Sequence, residues 1–284
     1  MSVLVVGNAT VDRSFRVAAL PRAGSSILAA RGPVGPGGKG FNQAMMAARS
    51  GAVVTLVAAV GDDAPGVLIR DMLRDESIDP GHLVLGTGPT DESCIVVDEA
   101  GANVVVTTAT ATRALPQAAV AAAIAATPAG GWLLLQANLE PRQTTATIEA
   151  GRRAGLRIAF NASPIDPAQA PLAAQVDLLV VNEVEAAAVD TSLAPMSVRT
   201  LGAAGAVLRI GDQTTRVPAP TVEAVDTVGA GDVLCGVFVG RLDLGDSPST
   251  ALELAVRAAS LQAGRAGTAD VFPTRAELRA LAGP

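Results

Sequence analysis

The chain has 284 residues, 49% of them hydrophobic and 17% charged, which is enough to bury a core and excludes a disordered chain. A formal net charge of −6 argues against a broad basic surface for nucleic acid. One His, two Cys outside any CxxC pair and no Tyr rule out a two-histidine metal site and a disulfide framework, and leave little for base stacking.

Val3–Val6 reads as a short buried strand ending at Gly7-Asn8, with functional residues expected at its C-terminal end. No basic region precedes it, so no signal peptide is expected and the reading is cytoplasmic. Strand-like pieces over 13–19 and 26–34 flank a Pro-Gly turn. Helices are predicted over 41–50 and 64–76 around a buried strand at 53–60. The segment 94–108 carries a hairpin signal around Asp98 to Ala102. Alternation then becomes regular: helix 118–126, strand 132–136, helix 141–154, strand 156–161, strand 176–181 and a short helix 183–189. Strand-like pieces follow at 198–201, 207–210 and 215–217, and helices at 230–242, 249–263 and 274–282. The longest apolar run, 118–126, is well short of the ~18 residues a membrane span needs. The pattern predicts one α/β domain over 1–284: a mostly parallel sheet with helices on both faces, plus a small antiparallel lid from about 13–34 and 94–108.

The chain has 29 glycines, and two loops concentrate them. Gly35-x-Gly37-x-x-Gly40 matches the dinucleotide fingerprint, but Pro33 and Pro36 spoil the strand approach that fingerprint requires. The Walker pattern fails because Phe41, not Lys, follows Gly40. Gly37 to Gln43 instead reads as a polar loop feeding a helix: Lys39 offers a positive charge and Asn42 an amide. A glycine turn that merely caps a helix fits the same residues. The second loop, Asp226 to Asp232, leads straight into a helix, so Gly229, Ala230 and Gly231 present N–H groups to an anion. A capping acid is one reading of Asp232. The other is phosphoryl transfer, in which N–H groups stabilise the moving group while the acid takes the nucleophile's proton.

With those residues named, the sequence resembles the ribokinase (PfkB) family of sugar kinases. Gly37-Gly38-Lys39-Gly40-x-Asn42-Gln43-Ala44 and Asp226-Thr227-x-Gly229-Ala230-Gly231-Asp232 match its two signatures. Segments 7–12, 60–63, 182–185, 200–205 and 265–268 extend the likeness over nearly the whole chain. The resemblance implies ATP-dependent transfer to a primary hydroxyl of a small sugar or polyol, Asp232 being the general base and Gly229, Ala230 and Gly231 the anion hole. It puts acceptor contacts on Thr10, Asp12, Gly38, Lys39, Asn42 and Asn138, and nucleotide contacts on Asn182, Thr200, Gly202, Gly205, Gly231 and Val256. It links Glu185 to Mg²⁺, and Asp226, Val228, Gln262, Arg265 and Gly267 to a monovalent cation such as K⁺. It also implies lid closure over the sugar and a homodimer through the lid. A nucleoside kinase of adenosine or pseudouridine type, and a binding regulator without catalysis, are the alternatives.

The chain departs from ribokinases at Thr10 (Asn there), Asn138 (Glu there) and Val271 (Ser near the cation), and is shorter by about one helix between 182 and 200. An amide both accepts and donates where a carboxylate only accepts, so a different hydroxyl stereochemistry is expected. Elsewhere, Asp62-Asp63 reads as a helix-capping turn, His82 as a strand-edge residue, Cys94 and Cys235 as inert core thiols, Trp132 as packing, and Arg152-Arg153 as a solvated face.

Overall fold

The computed structural model describes residues 2–283 apart from 165, 266 and 268. β1 (Val3–Val6) is wholly buried and lies inside a nine-stranded sheet. Successive side chains on a strand point to opposite faces. Val3 and Val5 accordingly enter one core and Leu4 and Val6 the other. A continuous apolar run is what a strand needs when helices cover both its faces.

After β1 the chain leaves this sheet. β2 (Thr10–Val17) and β3 (Ala30–Gly37) start a second, four-stranded sheet. α1 (Lys39–Arg49), β4 (Val54–Val60), α2 (Ala64–Asp75) and β5 (Leu83–Leu85) return to the large sheet, and β6 (Asp91–Asp98) and β7 (Asn103–Thr107) complete the small one. α3 (Thr110–Arg113), α4 (Gln117–Ala126), β8 (Trp132–Gln136), α5 (Pro141–Arg153), β9 (Arg157–Asn161), β10 (Leu178–Val181) and β11 (Met196–Thr200) then build the far half. β12 (Ala206–Ile210) and β13 (Gln213–Val217) form an antiparallel edge, and α6 (Ala230–Asp243), α7 (Pro248–Ala263) and α8 (Arg275–Ala282) finish the chain.

The large sheet has the order β13-β12-β11-β10-β9-β8-β1-β4-β5, parallel from β11 to β5. α1, α2, α6, α7 and α8 contribute to the core on one face, and α3, α4 and α5 to the core on the other. From β1 the chain winds one way through β4 and β5, and from β8 the other way through β9 to β11. The neighbours β1 and β8 therefore mark a topological switch point, and ligands bind outside the carboxyl ends of strands at such points.

Three features differ from the sequence reading. β3 runs over 30–37, not 26–34, and so includes Pro33 and Pro36. It is the edge of the small sheet, where a missing N–H costs little. The small sheet is not wholly antiparallel: β2 and β6 pair in parallel, because α1, β4, α2 and β5 intervene between β3 and β6. The helix expected over 183–189 is only a short 3-10 turn, Glu185–Ala187, and another such turn, Thr191–Leu193, completes the passage from β10 to β11. Within the motif at 265–268, Ala266 and Thr268 lie outside the described residues.

Candidate active site

The carboxyl ends of β1 and β8 open on a cavity of about 720 Å³. Asn8 follows β1, Asn138 follows β8, and both line it. Asn8 also fixes the entry of α1: its Oδ1 accepts the Gly40 N–H at 3.2 Å and its carbonyl accepts the Phe41 N–H at 3.0 Å. Gly38, Lys39 and Asn42 are thereby delivered to the cavity wall.

From the other end of the chain, Thr227, Val228, Gly229, Gly231 and Asp232 line the same cavity. Gly229 caps α6 with φ +81°, and a Cβ there would stand 2.4 Å from Cζ of Phe272. A left-handed turn against an aromatic ring leaves room only for glycine. The first N–H groups of α6 have no partner within their own helix, and the helix dipole makes that end attractive to an anion.

The two glycine-rich segments meet at Asp232, which is buried. Asn42 Nδ2 donates to its Oδ2 at 3.1 Å across 190 residues of sequence, and Gln43 Nε2 donates to its Oδ1 at 2.8 Å. A carboxylate held by two amides beside an anion-binding helix end can take a proton from an alcohol placed between them.

The small sheet closes the cavity with Asp12, Ser93, Ile95, Asn103, Val105 and Thr107. Thr10 lies behind this wall: its hydroxyl donates to Asp12 Oδ1 at 2.8 Å and lies 3.3 Å from Ser93 Oγ. Burial pushes the Asp12 carboxyl above the usual carboxylate range; the Ser93 and Thr10 hydroxyls oppose this, the Asp232 charge adds to it, and Lys39 opposes it. The folded protein thus holds this proton more tightly than the unfolded chain, so Asp12 costs stability increasingly as pH rises out of the acid range. Asp12→Asn should therefore melt above the parent at pH 7, with the gain vanishing well below the ordinary Asp pKa of about 3.9, where both folded and unfolded chains carry the proton. Thermal denaturation across pH measures this; equal melting at pH 7 would contradict it.

Other expected residues are only partly gathered here. Asn182 and Gly231 line the cavity, but Ala230, Thr200, Gly202, Gly205 and Val256 do not. Gly202 is exposed in the turn after β11, and Val256 is buried in the core on α7. Glu185 is buried and forms a reciprocal turn with Asn182: Asn182 N–H donates to Glu185 Oε2 and Glu185 N–H to Asn182 Oδ1, each at 2.8 Å. Gln262 Nε2 donates weakly to the carbonyls of Val228 and Gly267, at 3.4 Å each. Asp226 is buried and accepts the Val228 N–H at 3.0 Å. The Arg265 guanidinium turns away to the Val271 carbonyl and to Glu277, whose carboxyl it holds down at about 2.

Sequence reasoning missed Ser93, Asn103, Thr107, Thr112, Arg113 and Ser163, all of which line the cavity, whereas Asn8 stands at the strand end where functional residues were expected. For Ser93 the signal was available: β6 buries Asp91, Ser93, Ile95 and Val97 in strict alternation, so Ser93 shares the inward face with Ile95 and Val97. Among the side readings, Cys94 is exposed and so is not a core thiol, since it projects on the outward register of β6. Cys235 is buried, and burial raises its thiol. Asp63 caps α2 through the Gly66 N–H at 2.9 Å, while Asp62 is exposed. Trp132 is packing, with the Arg157 guanidinium 4.4 Å from its ring centre.

A family model described as pfkB family carbohydrate kinase matches residues 1–275. The chain belongs to the pfkB family of carbohydrate kinases. This pfkB chain is 30% identical to the ribokinase of Bacillus subtilis (strain 168) over 302 aligned residues, covering 99% of each chain. The structure of Arabidopsis thaliana ribokinase complexed with ribose and ATP superposes with a TM-score of 0.84 at 25% identity, covering 99% of this chain and 98% of that one. A ribokinase from Cryptococcus neoformans var. grubii serotype A in complex with ADP gives a TM-score of 0.84 at 26% identity, covering 98% of both. This pfkB protein is an ATP-dependent carbohydrate kinase: it moves a phosphoryl group from the nucleotide to an alcohol.

Proposed function

We propose that the acceptor is a small sugar, phosphorylated on a primary hydroxyl that docks against Asp232 within the cavity. The observation that carries this reading is the convergence on one carboxylate of Asn42 and Gln43 from the first glycine segment with the amino end of α6 from the second. The acceptor lies between the small sheet and the ends of β1 and β8, bonded by Asp12, Lys39, Asn42 and Asn138. Asp232 takes the hydroxyl proton as the oxygen attacks the terminal phosphorus in line, and the N–H groups of Gly229, Ala230 and Gly231 stabilise the charge on the transferring group. The nucleotide approaches from Asn182 and the segment 200–205. The small sheet acts as a lid that keeps water from competing with the sugar.

Ribose, bound by the Arabidopsis relative, is one member of a panel rather than the assumed acceptor, because Asn138 offers an amide to the cavity. ATP consumption measured over pentoses, ketohexoses, sugar phosphates and nucleosides tests the reading. Turnover confined to nucleosides would favour a nucleoside kinase, and binding without turnover on any acceptor would favour a regulator.

Mg²⁺ suits this site as an ion held by nucleotide phosphates and water, with one carboxylate such as Glu185 nearby, since among the described residues no cluster of three acidic or soft ligands forms a cage. Bound there, it would neutralise phosphate charge. For a monovalent cation, the converging carbonyls of Val228 and Gly267 and the buried charge of Asp226 favour a site, whereas the Gln262 amide already bridges those carbonyls. Running the panel with and without potassium distinguishes the two. The outward face of the small sheet exposes Val34, Val104 and Val106, which suits a homodimer through the lid. Among the described residues no helix is long and apolar enough to cross a membrane, and dependence on ATP fits the cytoplasm.

A further inference from the structure

Asp232 is anchored by more than its direct partners. An ionised carboxylate only accepts hydrogen bonds, so Gln43 must turn its Nε2 to Asp232 Oδ1, which it does at 2.8 Å. That choice turns Gln43 Oε1 the other way, where it accepts from Gln136 Nε2, also at 2.8 Å. Both glutamines are fully buried. Gln136 is the last residue of β8, at the topological switch point, and the alternation of that strand sends it to the same face as Trp132 and Leu134. Space for it comes from Gly7 at the end of β1: a Cβ there would stand 2.0 Å from Gln136 Oε1. Three separate choices, a glycine after one strand, a polar residue ending a wholly apolar one, and a glutamine inside a helix, thus serve one chain of bonds.

We propose that Gln43 and Gln136 are positioning residues, a two-amide relay that ties the Asp232 carboxylate to the central strands and holds it in the orientation that receives the acceptor's proton. This rests on the reading of Asp232 as the base. The relay fixes the carboxylate through Oδ1, while Asn42 holds Oδ2 and faces the cavity. Neither glutamine titrates. The titratable groups coupled to this carboxylate are Asp12 on β2 and the buried Cys235 thiol on α6, and Lys39 on α1 acts on both of those. Replacing a glutamine by methionine removes a bond without changing any charge.

The test compares Gln43→Met, Gln136→Met, the double variant and Gly7→Ala with the parent, alongside Asp232→Asn. A hydrogen bond to a charged group is strong enough that its loss should lower kcat about 10–100-fold in Gln43→Met. The acceptor KM should stay within about threefold, because Gln43 does not line the cavity. Losing a donor to the ionised form should also move the acid limb of the kcat profile to higher pH. Gln136→Met and Gly7→Ala should show smaller shifts in the same direction, and the double variant should be no worse than Gln43→Met alone. A folded Gln43→Met with unchanged kcat and acid limb overturns the relay, as does a fall in kcat with an unmoved limb and additive effects. If Gln43→Met does not fold, Gln136→Met and Gly7→Ala carry the same test. Retained turnover in Asp232→Asn would instead remove the base from the mechanism and leave the glutamine results as a separate observation.

Discussion

Asp232→Asn should turn over at least ~10²-fold more slowly than the parent at neutral pH, while ATP and acceptor still bind with near-parental affinity. The substitution keeps shape and burial but removes the proton acceptor. It also introduces an NH₂ group where both neighbours donate: Asn42 Nδ2 to one oxygen and Gln43 Nε2 to the other. One of those amides must then rotate or lose its partner, so part of the loss comes from reorganisation and not only from the missing base. Single-turnover kinetics combined with calorimetric binding separate these contributions. Undiminished turnover would contradict the proposed role outright, whereas lost binding with normal turnover at saturation would assign Asp232 to holding the sugar.

A second large effect is expected about one turn along α6 from Asp232, at a residue that does not line the cavity. α6 is buried on nearly every side, and it approaches α1 so closely that a Cβ on Gly236 would stand 2.4 Å from the Gln43 carbonyl and 2.8 Å from Met46 Cβ. Gly240 lies one turn further along, against Ala47 and Ser50. Gly236→Leu must push the helices apart. Overpacking of this kind costs about 1–3 kcal/mol. The greater consequence is geometric, because the Asn42 and Gln43 bonds to Asp232 cross this same seam. Displacement by about 1 Å can reduce turnover ~10²-fold, so kcat should fall by that order in a protein that remains folded. Denaturant unfolding and steady-state kinetics on one preparation check both effects; a destabilised protein with normal kcat would mean that the seam does not align the site.

The alternation of strands and helices made the layered architecture legible, and the two glycine segments made their residues legible, because both signals are local. What could not be read depends on pairing at a distance. Pro33 and Pro36 argue against a strand until it is known that β3 is an edge. The parallel pairing of β2 with β6 follows from the crossover between them and not from either strand's composition. Gln43 was visible within the first segment and Gln136 at the end of a strand, but only the register of β8 with β1 brings one to the other. The nucleotide side is the least legible part, since the passage from β10 to β11, already short in sequence, uses two 3-10 turns where a short helix over 183–189 was expected.

Lys39, on the cavity wall at the first turn of α1, is the only lysine in the 284-residue chain, and the other 20 Lys or Arg residues are all arginine. Amine chemistry therefore addresses this cavity alone, apart from the terminal amine. Reductive methylation with isotope-labelled formaldehyde would install a single side-chain NMR reporter on the cavity wall and preserve the positive charge. Its chemical shift would report ligand entry into the cavity directly, with no engineered label.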